Sequence, residues 1–123
     1  MGRKIMVVDD SSMIRMQVKR ALVTAGYDVD EAVDGRDAAD KIGAGAKPSV
    51  IVCDVNMPRM NGIEFLEHMQ KASPSTPIVM LTTEGQPDLL RKARMLGAKG
   101  WLVKPFKPEL LLAAIDKLAT VGA

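Results

Sequence analysis

The stretch Val50 to Gly62, VIVCDVNMPRMNG, constrains the fold more than any other. Val50, Ile51, Val52 and Cys53 form an apolar run that ends on a carboxylate, Asp54, and turn-forming residues follow at once: Asn56, Pro58, Asn61 and Gly62. A short apolar run bounded by turn signals reads as a strand buried on both faces, the environment of a parallel sheet. Asp54 then stands at the carboxyl end of its strand, where open α/β sheets form ligand crevices. Lys4 to Val8 repeats the design: KIMVV ends on Asp9 and Asp10. If these two strands are neighbours, three carboxylates meet at one edge.

The remainder of the chain fits the same plan. Ser11 and Ser12 are good caps for a helix whose apolar face is Ile14, Val18 and Leu22, with Gly26 at its end. Tyr27 to Ala32 alternates weakly and reads as a polar edge strand. Asp34-Gly35 reads as a turn, followed by a short helix carrying Ala38, Ala39 and Ile42 that ends in the Gly43 to Gly45 loop. Asn61 and Glu64 have capping-box spacing before Ile63, Phe65, Leu66 and Met69. Ile78 to Leu81 is a fourth buried strand, ending on Thr82, and Pro87 suits the first turn of the helix bearing Leu89, Leu90, Ala93 and Leu96. Gly100 to Val103 is the fifth strand, ending on Lys104. Pro108 opens a last helix with Leu111, Leu112, Ile115 and Leu118 on its apolar side.

Strands alternating with helices predict a doubly wound α/β fold, a five-stranded parallel sheet in the order 2-1-3-4-5 with five helices. No repeat, linker or second domain is legible, so residues 1–123 are expected to form one domain with no output domain. Composition excludes other classes. A net charge of +2 is too small to indicate nucleic acid. A single cysteine, Cys53, allows no internal disulfide and is expected to be a buried, inert thiol. Signal peptide, myristoylation pattern and membrane-length apolar run are all missing, so a cytoplasmic protein is expected. Charge is uneven, however. Arg91, Lys92, Arg94, Lys99, Lys104 and Lys107 face only Glu84 and Asp88 in their stretch, which is either a surface for an acidic partner or a set of solvated helix faces.

The chemistry lies in what ends the strands: Asp9 and Asp10, Asp54, Thr82 and Lys104. Two carboxylates 4 Å apart repel by about 4 kcal/mol at an effective dielectric of 20. Such a cluster favours a hard divalent cation, and a few carboxylates plus water suit Mg²⁺. A metal, a lysine and a hydroxyl around one carboxylate can cradle a phosphoryl group, with Asp54 the best placed nucleophile. An aspartate after a strand is also a common cap or turn former, and for Asp9 or Asp10 alone that reading comes first. The Gly43 to Gly45 pair follows a helix and fails the dinucleotide pattern. His68, without a catalytic partner motif, reads as a surface histidine.

With these pieces in place, VVDD ending at Asp10, DVNMPRMNG from Asp54, LTTE from Leu81 and KGWLVKPF from Lys99, the chain resembles the receiver domains of two-component response regulators. It is most similar to the single-domain chemotaxis regulators. The resemblance implies a protein that catalyses only its own phosphorylation and dephosphorylation. Asp54 would be the phospho-acceptor for a sensor histidine kinase. Asp10, Asp9 partly through water, Asp54 and the backbone carbonyl of Asn56 would bind Mg²⁺. Lys104 would pair with phosphoryl oxygens, aimed by a cis bond to Pro105, and the Thr82 hydroxyl would swing toward the phosphate. Asn56 and Glu84 match the pair of fast-dephosphorylating regulators. Two positions depart from the pattern: Trp101 stands where the switch aromatic is usually Tyr or Phe, and Val55 where many chemotaxis regulators have Trp. The implied partner is a flagellar motor switch protein and the expected state a monomer. Rival readings are an aspartyl-phosphate phosphatase, disfavoured because Asn56 replaces its second acid, a phosphorylation-independent adaptor, or a phosphate sink.

Overall fold

The computed structural model describes residues 3–82 and 87–121. In chain order these form β1 (Lys4–Val8), α1 (Ser12–Thr24), β2 (Asp28–Ala32), α2 (Gly35–Gly43), β3 (Val50–Asp54), α3 (Gly62–Ala72), β4 (Ile78–Thr82), α4 (Pro87–Met95), β5 (Gly100–Val103) and α5 (Pro108–Val121). The strands form one parallel sheet in the order β2-β1-β3-β4-β5, as the sequence predicts.

Side chains alternate across a strand, so each central strand supplies two cores. Met6, Val8, Ile51, Cys53 and Met80 face α2, α3 and α4 through Ala38, Phe65, Leu66, Met69 and Ala93. Ile5, Val7, Val50, Val52, Val79 and Leu81 face α1 and α5 through Val18, Leu22, Leu111 and Ile115. Every residue of β3 and β4 is buried. Each fully buried aliphatic side chain contributes about 1.5–3 kcal/mol, which explains why these runs, rather than the polar β2, hold the middle. Cys53 lies among them, fully buried. Burial, and then the charges of Asp54 and Asp9, push its thiol well above the usual range, so the inert reading holds.

Local signals place the helix starts. Ser11 caps α1, accepting from the Ile14 N–H at 3.3 Å. Asn61 and Glu64 form the full capping box of α3. Gly26 leaves α1 at a φ of 98°, open to glycine at little cost. Two expectations shift. The second strand begins at Asp28, because the Tyr27 backbone N–H donates back to the Leu22 carbonyl of α1 at 3.0 Å. Asp34-Gly35 is the start of α2 rather than a separate turn, since Asp34 caps the helix and accepts from the Asp37 N–H at 2.8 Å. Among the described residues, no helix is long and apolar enough to cross a membrane.

Candidate functional site

The sheet register brings the strand ends into one row: Val8 pairs with Cys53, Asp54 with Leu81 and Thr82 with Val103. Asp9, Asp54, Thr82 and Lys104 therefore gather at the carboxyl edge without any long reach. Asp9, Asp10 and Asp54 each offer a carboxylate oxygen within 4.8 Å of the others. Asp9 and Asp54 are buried, whereas Asp10 is exposed, so the cluster opens to solvent on the Asp10 side.

Lys104 bridges the two buried acids. Its ammonium lies 2.8 Å from Asp9 Oδ2 and 3.3 Å from Asp54 Oδ1. Its shorter contact is thus with Asp9, an arrangement that no linear pattern signals. The Ser11 N–H donates to the other Asp9 oxygen at 2.9 Å. Asp54 receives less. Burial first, and then the charge of Asp9, raise its carboxyl above the ordinary aspartate value, and Lys104 only partly opposes them. Burial would depress Lys104, but the hydrogen bond and charge of Asp9, followed by those of Asp54, hold its ammonium above the usual lysine value. Three carboxylates against one ammonium leave two formal negative charges in excess. An all-oxygen cluster of that charge, open on one side, fits a hard divalent cation that keeps part of its water.

The other expected residues fall around this centre. Thr82 is buried at the end of β4. The Lys104–Pro105 bond is cis, as the resemblance implies. Val55 is buried directly behind Asp54, and Asn56 is exposed in the following loop. Trp101 packs half-buried on the core between the sheet and α4, lining a small cleft with Leu90, Arg94 and Lys99. Its indole N–H is buried with no partner among the described residues. Glu84 lies outside the described residues. His68 is exposed on α3. Of the six basic residues between Glu84 and Lys107, Lys104 turns into the site and Arg91 pairs with Asp88 one helical turn away. Lys92, Arg94, Lys99 and Lys107 remain exposed.

Two arginines that the sequence does not single out fasten the loops of the site. Arg15 of α1 donates to the Asp9 carbonyl at 2.6 Å and to Glu31 Oε1 of β2 at 3.1 Å. Arg59 donates twice to the buried Asp34, at 2.8 and 3.2 Å. Arginine at these positions is ordinary surface composition when read linearly. The only local hint is Asp34 as a helix cap, and caps are common.

Comparison with known proteins agrees with this geometry. The family model described as the response regulator receiver domain matches residues 5–116. The chemotaxis protein CheY of Thermotoga maritima is 36% identical over 120 residues, covering 97% of this chain and 99% of the relative. The chemotaxis protein CheY1 of Helicobacter pylori is 40% identical over 116 residues, 92% of this chain and 94% of that protein. Among solved structures, the chemotaxis protein CheY4 of Vibrio cholerae superposes with a TM-score of 0.87 at 46% identity, covering 96% of this chain and 99% of that one. The Francisella response regulator 1452 receiver domain superposes with a TM-score of 0.92 at 27% identity, over 99% of this chain and 100% of that one. With the family model spanning nearly the whole chain and the acidic row at its sheet edge, this chain belongs to the response regulator receiver domains.

Proposed function

We propose that this chain is a phosphorylation switch of a two-component pathway, with Asp54 as the phospho-acceptor, and that it works in the cytoplasm in chemotaxis. The observation that carries this reading is the under-compensated Asp54, held 3.3 Å from Lys104 inside a cluster of three carboxylates. Asp9, Asp10, Asp54 and the backbone carbonyl of Asn56 would hold Mg²⁺, Asp9 partly through water. Held there, Mg²⁺ would supply the positive charge that lowers repulsion between the Asp54 carboxylate and an incoming phosphoryl group.

Asp54 attacks the phosphorus of a histidine kinase's phosphohistidine in line, and the P–N bond breaks as the Asp54 Oδ–P bond forms. Lys104 then exchanges carboxylate contacts for phosphoryl oxygens. The hydroxyl of Thr82 turns to the new acyl phosphate, and Trp101 repacks into the space released. An orphaned buried N–H costs about 1–3 kcal/mol, so the present seat of the Trp101 indole is short of its optimum, which supports that movement. Beyond making and hydrolysing its own acyl phosphate, the protein catalyses nothing. Asn56 and Glu84 would admit the hydrolytic water and keep the signal brief.

The output surface in this reading is α4, β5 and α5. Relatives named as chemotaxis proteins and the exposed basic side chains of that face favour an acidic segment of a flagellar motor switch protein. Charge reversal at Lys92 and Lys99 together should weaken binding of that segment by about fivefold to thirtyfold, since each exposed ion pair contributes up to about 1 kcal/mol. Unchanged affinity would remove this face from the output.

The central test is intact mass after acetyl phosphate, with and without Mg²⁺, on the native chain and Asp54→Asn. One Mg²⁺-dependent phosphoryl adduct, absent in the variant, is expected. An unmodified native chain would overturn the switch.

A further inference from the structure

The loop after Asp54 leaves and returns at one point, because the Gly62 N–H donates to the Val55 carbonyl at 2.8 Å. Its far side is anchored to the start of α2. The Met60 carbonyl accepts from the Gly35 N–H at 2.9 Å, and the Arg59 guanidinium grips both oxygens of Asp34. Arg59 has a φ of 63°, the left-handed region in which an L-residue loses about 1–2 kcal/mol. Glycine would sit there without penalty, so the side chain itself must compensate. Its partner is no surface acid: Asp34 is only 3% exposed. Burial of a carboxylate is tolerated when it is paired and hydrogen-bonded, and Arg59 together with the Asp37 N–H satisfies Asp34.

On the opposite wall, Arg15 ties the Asp9 carbonyl to Glu31 of β2. Each loop that contributes acids is thus fastened by one arginine to β2 or the turn after it. We infer that the Asp34–Arg59 ion pair positions the loop after Asp54, to which Asn56 belongs, for cation binding. Asp34 and Arg59 are positioning residues in this account and need not touch the ion. The inference rests on the phospho-acceptor reading above.

The test is Mg²⁺ affinity by calorimetry on the native chain, Arg59→Gly, Asp34→Asn and the double variant, each checked for folding by circular dichroism. Arg59→Gly relaxes the backbone while deleting the guanidinium. Asp34→Asn keeps a helix-capping oxygen while deleting the charge. Each should weaken Mg²⁺ about tenfold, the lower end of what partners behind a ligand set contribute, and the double variant should be no worse than either single one. Arg36→Ala removes an exposed pair with Asp40 on the same helix and should leave affinity unchanged. Phosphorylation by acetyl phosphate should slow at low Mg²⁺ and recover at saturating Mg²⁺, a rescue that general damage would not show. Native affinity in Arg59→Gly overturns this inference alone. Should Arg59→Gly fail to fold, Asp34→Asn carries the same comparison. If the native chain binds no Mg²⁺ and takes up no phosphoryl group, both the inference and the reading beneath it fall.

Discussion

Asp34 and Asp54 are both aspartates at the carboxyl edge of the sheet, 3% and 5% exposed respectively, yet their surroundings drive them in opposite directions. Asp34 receives two N–H groups from Arg59 and the backbone N–H of Asp37. The hydrogen bond from Arg59, against the opposing effect of burial, holds its carboxyl below the usual value. Asp54 is buried beside a second acid and shares its lysine with it, and its carboxyl is held above the usual value. One carboxylate is satisfied and serves architecture. The other is left short of positive charge, which is the state that attracts a cation and an electrophile. Burial alone does not distinguish them, but the balance of partners does.

The sharpest way to break this comparison is to move the backbone that carries it. A Cβ at Gly62 would lie 2.2 Å from the Asp54 carbonyl oxygen and 2.9 Å from Val55 Cα. These are main-chain atoms and cannot step aside. Gly62→Ala should cost about 3 kcal/mol or more, read as a lowered urea midpoint, and should abolish the adduct with acetyl phosphate. A normal midpoint would mean that the loop after Asp54 is far more pliant than its hydrogen bonds suggest.

Next in size is Asp34→Ala, which removes both a helix cap and the partner of Arg59. It should cost more than the about 1 kcal/mol of the cap alone, and Asp34→Asn should cost less. The sign with pH is set by the depressed carboxyl. The ionised form stabilises the fold above the unfolded value near 3.8, and that contribution is lost as pH falls through the lower folded value. The native chain and Asp34→Asn should therefore converge in strong acid. A gap that persisted there would place the effect outside the charge.

The smallest effect has the opposite sign. Because the folded Asp54 carboxyl lies above its unfolded value of 3.8, its ionised form costs stability. That cost is complete above the folded value and disappears as pH falls below the unfolded one. Asp54→Asn should accordingly raise the melting temperature at neutral pH without divalent cation, with the gain vanishing on acidification. A lower melting temperature at neutral pH would show that Asp54, like Asp34, is fully compensated. The two acids would then differ only in position.

Much of this was legible from residue order. The runs ending on Asp9, Asp54, Thr82 and Lys104 identify the strands, and their polar ends predict one shared edge. The Asn61 and Glu64 capping box and the Pro87 and Pro108 helix starts are likewise local signals. The Asp34–Arg59 pair was not legible. Its members lie 25 residues apart, and Arg59 adopts a backbone conformation that favours glycine. For Trp101 the residue was visible, but not the buried, unpartnered state of its N–H among the described residues.

By itself the sequence determined the alternation of strands and helices and which side chains end the strands. Those features come from periodicity, caps and turn chemistry, interactions that act over a few residues. Only the tertiary structure decided that Lys104 lies nearer Asp9 than Asp54, that Asp10 alone of the three acids faces solvent, and that one buried aspartate is neutralised while another is not. Electrostatic balance depends on distance and desolvation, and both are set by residues that meet across the sheet rather than along the chain.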